Sequence, residues 1–173
     1  MPTIELLEPV RHSRLRLRER AADDAHFVQI VAGEFAAAAA CCPILFTKDA
    51  SDGAFYAGAM YGFKPGENLL GDAVERSVFE PLMLRRDGFF ISERSIAIDR
   101  ENSRFSESEG DLLFDEGRQP ADALRAIQRT LGELQHGIEQ TKVFIAALLE
   151  LKLIESIEVS LSFDNGERLA TIW

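Results

Sequence analysis

An α+β fold is expected from this sequence: a small antiparallel β meander with an N-terminal helix, one long helix and a C-terminal hairpin. Three observations carry the expectation. Residues 44–99 hold short apolar runs separated by turn chemistry, the grammar of antiparallel strands. Between residues 124 and 148, apolar positions recur in three- and four-residue steps, the period of one helix face. Near the end, Asn165-Gly166 stands between two alternating runs, a strong hairpin signal.

Along the chain, Ile4, Leu6 and Val10 are followed by Leu15 and Leu17 set among Arg14, Arg16 and Arg18, an alternation typical of a half-buried strand. Asp23 and Asp24 can cap a following helix, and residues 25 to about 41 are good helix formers apart from Gly33, until Pro43 stops the run. Ile44-Leu45-Phe46-Thr47 favours a strand, 49–53 is turn-rich, and the apolar 54–63 stretch should pair back as a hairpin. Lys64-Pro65-Gly66-Glu67 predicts a type II turn, because Pro presets its own φ and Gly accepts a positive one. A short helix is expected around 78–86, and Asp87-Gly88 then turns into Phe89-Phe90-Ile91 and a strand over 95–99.

Residues 99–117 are acidic: Asp99, Glu101, Glu107, Glu109, Asp111, Asp115 and Glu116 stand against Arg100 and Arg104. Phe105 and Leu112-Leu113-Phe114 interrupt the run, so an ordered loop pinned at those points is expected rather than a disordered linker. From Pro120 to about Lys152, Leu124, Ile127, Leu131, Leu134, Ile138, Ile145 and Leu148 share one helix face, with Thr141 filling a step. Pro120 suits the first turn and Asp122 complements the dipole there. A helix of about 33 residues spans about 50 Å, more than the width of a compact domain of this size. It should therefore break near Gly132 or Gly137, or offer its seam to another helix, including one from a second subunit.

Composition narrows the function. The 173-residue chain is 46% hydrophobic and 28% charged, which supplies a real core for one domain. A net charge of −10 disfavours nucleic-acid binding. The longest apolar stretch, 27–46, is interrupted by Gln29, Glu34 and Pro43, which argues against a membrane span. The first residues carry Arg11, Arg14, Arg16, Arg18 and Arg20 without an apolar run after a basic start, so no secretory signal is read and a cytoplasmic location is expected. Cys41 and Cys42 are adjacent and can hardly bridge each other without strain. They read as buried, inert thiols suited to a reducing compartment, with a redox or metal role as the alternative.

Of the three histidines, His12, His26 and His136, none sits in a recognised ligand spacing. On a 25–41 helix, His26 and Glu34 would lie two turns apart and rotated by roughly 80°, poor geometry for one metal. Glu34 lies among Val31, Ala32, Phe35 and Ala36, and a buried carboxylate must pair or shift its pKa. Arginines of the 11–18 strand are its candidate partners. Gly58, Gly62 and Gly66 lack the Lys-Ser/Thr of a phosphate loop, no Gly-x-Ser-x-Gly elbow exists, and the acidic loop lacks the ligand ladder of an EF-hand. No catalytic residue, metal ligand or cofactor is assigned. A rival reading gathers His12, His26, Glu34, Glu67 and Asn68 into the pocket of a small-molecule- or metal-binding enzyme.

Several segments carry a resemblance. They are Pro9-Val10-Arg11-His12 leading to Leu15-Arg16-Leu17; Ala25-His26-Phe27-Val28 running into Ala32-Gly33-Glu34-Phe35; and Cys42-Pro43-Ile44-Leu45-Phe46 with Lys48-Asp49. Then come Gly62 through Leu69, Ser103 through Glu107 with Gly110 and Leu113-Phe114-Asp115, and Phe144-Ile145-Ala146-Ala147-Leu148. In this order and spacing they resemble the SapC family of bacterial proteins over nearly the whole chain. The family takes its name from a gene linked to a bacterial surface layer, and relatives are described beside outer-membrane uptake receptors and flavin-type halogenase homologues. The resemblance implies an accessory role in the surface layer or nutrient uptake, with cell-surface association. Members commonly continue past this hairpin, so the single SapC-like domain, 1–173, is expected to be either a chain shortened at its C-terminal end or a short member of the family. No catalytic residues come with it. The leading expectation is a non-catalytic accessory protein acting through a protein partner or self-association along the 124–148 helix.

Overall fold

The computed structural model describes residues 3–20, 25–69, 79–162 and 168–172, with 158–162 and 168–172 described by backbone pairing alone. Asp23, Asp24, residues 70–78 and the Asn165-Gly166 turn fall outside these. In chain order the elements are β1 (Ile4–Leu6), β2 (Arg16–Leu17), β3 (Phe27–Ile30), a 3-10 turn (Ala32–Glu34), α1 (Phe35–Ala38), β4 (Ile44–Lys48), β5 (Phe55–Met60), α2 (Leu82–Arg85), β6 (Phe89–Ser92), β7 (Ser95–Asp99), β8 (Phe105–Ser106), β9 (Asp111–Leu112), α3 (Asp122–Glu150), β10 (Glu158–Ser162) and β11 (Arg168–Ile172). The α+β class holds. Two compact units form, Met1–Ala21 with Leu82–Leu134, and Ala22–Pro81 with Gln135–Trp173.

In the first unit, β6 and β7 make the expected hairpin, with Phe89 opposite Ile98, and β1 adds to the far side of β7, with Ile4 opposite Asp99. The extended stretch expected over residues 3–18 is in fact two short strands in different sheets. β2 lies between β8 and β9, with Arg16 opposite both Ser106 and Leu112. Alternation marked both segments as strands, but their partners lie far along the chain, where no local signal reaches. The acidic loop is ordered as expected. Phe105, Leu113 and Phe114 are buried with Leu15, Phe89, Ile98, Leu124, Ile127 and Leu131, while Glu107, Glu109, Asp111, Asp115 and Glu116 stay exposed.

In the second unit, β5 is the central strand, with β3 and β4 antiparallel on either side. The β4–β5 hairpin is as expected. Lys64–Glu67 closes with the Glu67 N–H on the Lys64 carbonyl at 3.1 Å, and Gly66 has φ of 80°. β10 and β11 pair from Glu158 opposite Ile172 to Ser162 opposite Arg168.

The helix expected over 25–41 is the main correction. Phe27–Ile30 is a strand, and the helical part shrinks to the 3-10 turn and the single-turn α1. The cause is the partner strand. β5 carries Ala57, Gly58 and Ala59, all buried, a narrow surface that accepts large neighbours. A Cβ on Gly58 would stand 2.1 Å from Cζ of Phe27, so the Phe27 ring lies over that glycine. Phe27, Val28 and Ile30 fit a pleated surface better than a helix. The alanines left over before Pro43 are too few to repay helix nucleation beyond one turn.

α3 is unbroken over 29 residues, about 44 Å at 1.5 Å per residue. Its seam is spent within the chain. Leu124, Ile127 and Leu131 complete the core of the first unit. In the second unit, the Ala32 N–H donates to Thr141 Oγ1 at 2.8 Å, that hydroxyl donates to the Gly137 carbonyl at 2.6 Å, and Phe144 meets Phe35 edge-on at 5.8 Å. The two glycines named as breaking points differ sharply in setting. Gly132 has nothing within 4 Å of a built Cβ, whereas at Gly137 that atom would lie 2.6 Å from Val31 Cγ2 and 2.8 Å from Val31 Cβ. Gly132→Ala should therefore stabilise by about 1 kcal/mol through helix propensity. Gly137→Ala should destabilise, because overpacking against a β-branched side chain costs about 1–3 kcal/mol and outweighs that gain. Urea unfolding of the two variants reads the opposite signs. No helix among the described residues is long and apolar enough to cross a membrane.

Candidate functional site

His12 sits in the turn after β1, in the first unit, and is 4% exposed. The Glu8 N–H donates to its Nδ1 at 2.9 Å, which assigns the ring proton to Nε2, 3.0 Å from Glu5 Oε1. Glu5 also meets Arg11 Nη2 at 2.6 Å. The His12 hydrogen bond, helped by the Arg11 charge, holds the Glu5 carboxyl below its usual range against the opposing effect of burial, which outweighs the Arg11 contribution alone. His12 thus ties β1 to the turn that follows it.

The other named residues belong to the second unit. His26 is half-buried just ahead of β3, and its carbonyl accepts the N–H groups of Tyr61 at 2.7 Å and Gly62 at 3.0 Å. That places it beside the start of the 62–68 turn. Glu67 is committed to the same turn, with Oε2 accepting the Phe63 N–H at 2.7 Å, and Asn68 is half-buried next to it. A Cβ on Gly62 would collide with the Glu67 carbonyl oxygen at 2.2 Å, so the turn is tightly drawn. His26, Glu67 and Asn68 are therefore brought together through backbone contacts.

Glu34 is buried, as its apolar neighbours implied, but its setting is the 3-10 turn. Its Oε2 accepts the Val31 N–H at 2.9 Å, the reach-back of the acid in a capping box. Among the arginines expected as its partners, Arg11 meets Glu5, Arg16 Nη1 donates to the Gly110 carbonyl at 2.8 Å, and Arg18 meets Glu109 at 3.0 Å. The buried cation that sequence reasoning passed over is Arg104, whose Nη1 donates to the carbonyls of Arg85 and Asp87, each at 2.9 Å. It fastens the acidic loop to the end of α2, where helix carbonyls lack partners of their own. An arginine inside an acidic run beside a buried Phe was the one local hint.

Capping makes Glu34 testable. Glu34→Ala leaves the Val31 N–H without its acceptor and should cost about 1–3 kcal/mol. Glu34→Gln keeps an acceptor oxygen at the same reach and should cost clearly less. Thermal unfolding that ranks wild type, Gln variant, then Ala variant supports a cap. Equal losses for both substitutions would contradict it.

Cys42 is buried and Cys41 half-exposed, and both are free thiols. Burial pushes the Cys42 thiol up to about 12, which keeps it protonated at neutral pH. Among the described residues, no three His, Cys, Asp or Glu side chains stand together as a metal site.

No curated protein and no solved structure matches this chain. A family comparison does match, with SapC, over residues 7–171. That span takes in the His12 turn, the capped Glu34 turn, the 62–68 turn, the pinned acidic loop and all of α3. With nearly every described element inside the match, the chain belongs to the SapC family.

Proposed function

We propose that the protein is a SapC-family accessory protein that works by protein–protein contact rather than by transforming a substrate. The observation that carries this reading is the cluster of exposed large apolar residues where α3 ends. Val143 is 73% exposed, Leu151 67% and Leu153 65%, with Phe144, Leu149 and Ile157 beside them in sequence. A concentration of this kind is typical of an interaction surface. Val143 stands about 160° round the helix from buried Ile145, so self-association through these exposed residues would leave the seam in its core. The reading is supported further by Glu34, Glu67 and His12, each engaged with the backbone of its own segment.

The occupant is a second copy of the chain. The cluster is bordered in sequence by both signs: Lys142 pairs with Glu139 on its own helix at 2.8 Å, which leaves Lys152 with Glu150 and Glu155 for a contact between copies. A two-fold contact sets each copy's Lys152 against the other's glutamates, as an isologous interface requires. Family membership supports a place for the pair at the cell surface or beside an uptake receptor. Light scattering across a concentration series should give a dimer for the wild type and a monomer for the Val143→Glu, Leu151→Glu double variant, with unchanged circular dichroism. A wild-type chain that stays monomeric at every concentration would overturn the proposal.

A further inference from the structure

We propose that Cys41 and Cys42 form a two-thiol chelating site for a pyramidal soft centre, of the trivalent arsenical type. The two Sγ atoms are 3.6 Å apart and both thiols donate to one acceptor, the Ala38 carbonyl, at 3.3 Å each. The side chains therefore point the same way from adjacent residues at the end of α1. Cys41 is half-exposed and gives access, and Cys42 is buried behind it.

The gap selects the chemistry. At the bond length of about 2.3 Å typical of a metal–thiolate bond, a centre bridging sulfurs 3.6 Å apart subtends an angle of about 100°. A linear two-coordinate ion needs its sulfurs on opposite sides and does not fit. A tetrahedral ion fits the angle but wants further protein ligands, and among the described residues no third His, Cys, Asp or Glu side chain completes a group. A trivalent arsenical carrying its own substituent needs two sulfurs and no more, and thiolate softness suits it. Chelation is also favoured over a disulfide. Adjacent Cα atoms are about 3.8 Å apart, short of the roughly 4.4–6.8 Å that an unstrained disulfide spans.

The reaction balances without an oxidant. One arsenoxide and two thiols give two As–S bonds and one water, the thiol protons leaving with the arsenoxide oxygen. The raised pKa of Cys42 slows closure of the second bond without changing this stoichiometry.

Phenylarsine oxide is the probe, read by intact mass after challenge with excess monothiol and then with a dithiol. Wild-type protein should hold one phenylarsenic per chain through the monothiol wash and release it to the dithiol. Cys41→Ser and Cys42→Ser should each lose about a hundredfold in retention, because a lone thiol has no chelate advantage. Cys41 is half-exposed, so its serine variant should fold even if the Cys42 variant does not. Retention of the adduct by Cys41→Ser, or its loss from the wild type in monothiol, would overturn the proposal.

Discussion

Phe89→Ala should cost about 3–5 kcal/mol. Phe89 is fully buried in the first unit and meets Phe105 edge-on, with ring centroids 5.0 Å apart. Truncation removes the aromatic contact and leaves a cavity lined by Leu15, Ile98 and Leu113 with little freedom to collapse, since each is itself almost fully buried. In a domain of this size the loss lowers the unfolding midpoint by about 6–20 °C. The neighbouring Phe90 supplies the control. It is half-buried on the other face of β6, under the Arg86 guanidinium at 5.3 Å. Phe90→Ala should lose about 1–2 kcal/mol of half-buried cation–π energy plus partial burial. Amide hydrogen exchange should rise across β6 and β7 in the Phe89 variant. Near-equal losses for the two variants would mean that the ring facing the core has been misassigned.

Gly110→Ala should cost about 2–6 kcal/mol. Gly110 sits between β8 and β9 at φ of 96°, and a Cβ there would stand 2.3 Å from the Leu17 carbonyl oxygen and 2.6 Å from its carbon. No rotamer change relieves a collision with backbone. The residue must either abandon its left-handed conformation or push β2 away from β9, and the Arg16 hydrogen bond to the Gly110 carbonyl would be lost with it. Gly66→Ala isolates the strain. It has φ of 80° but nothing within 4 Å of its built Cβ, so it should lose only the conformational part, about 1–3 kcal/mol. Urea unfolding should show Gly110→Ala as the more damaging change, with exchange rising through the acidic loop. A loss at Gly110 no larger than at Gly66 would rule out the close approach to Leu17.

The same contrast governs what could be seen in the candidate site. Burial of Glu34 was legible because its neighbours are apolar, but its role was not. Whether a buried carboxylate binds an arginine, a ligand or a backbone N–H depends on the turn that carries it, and that turn exists because Phe27–Ile30 was drawn into a sheet. His12 meets Glu8 four residues back and Glu5 seven back, a local turn that the reading of this segment as extended strand hid.

By itself the sequence determined the features whose physics is local. The Pro65-Gly66 turn, the β4–β5 and β6–β7 hairpins, the anchoring of the acidic loop at Phe105 and Leu113-Phe114, and the long amphipathic run of α3 all follow from residues within a few positions of one another. Only the tertiary structure decided between strand and helix at 27–30, the partners of β1 and β2, and what covers the apolar seam of α3. Those outcomes depend on residues as far apart as Ile4 and Asp99, or Ala32 and Thr141, and the free energy of a pair that distant is realised only once the chain between them has folded.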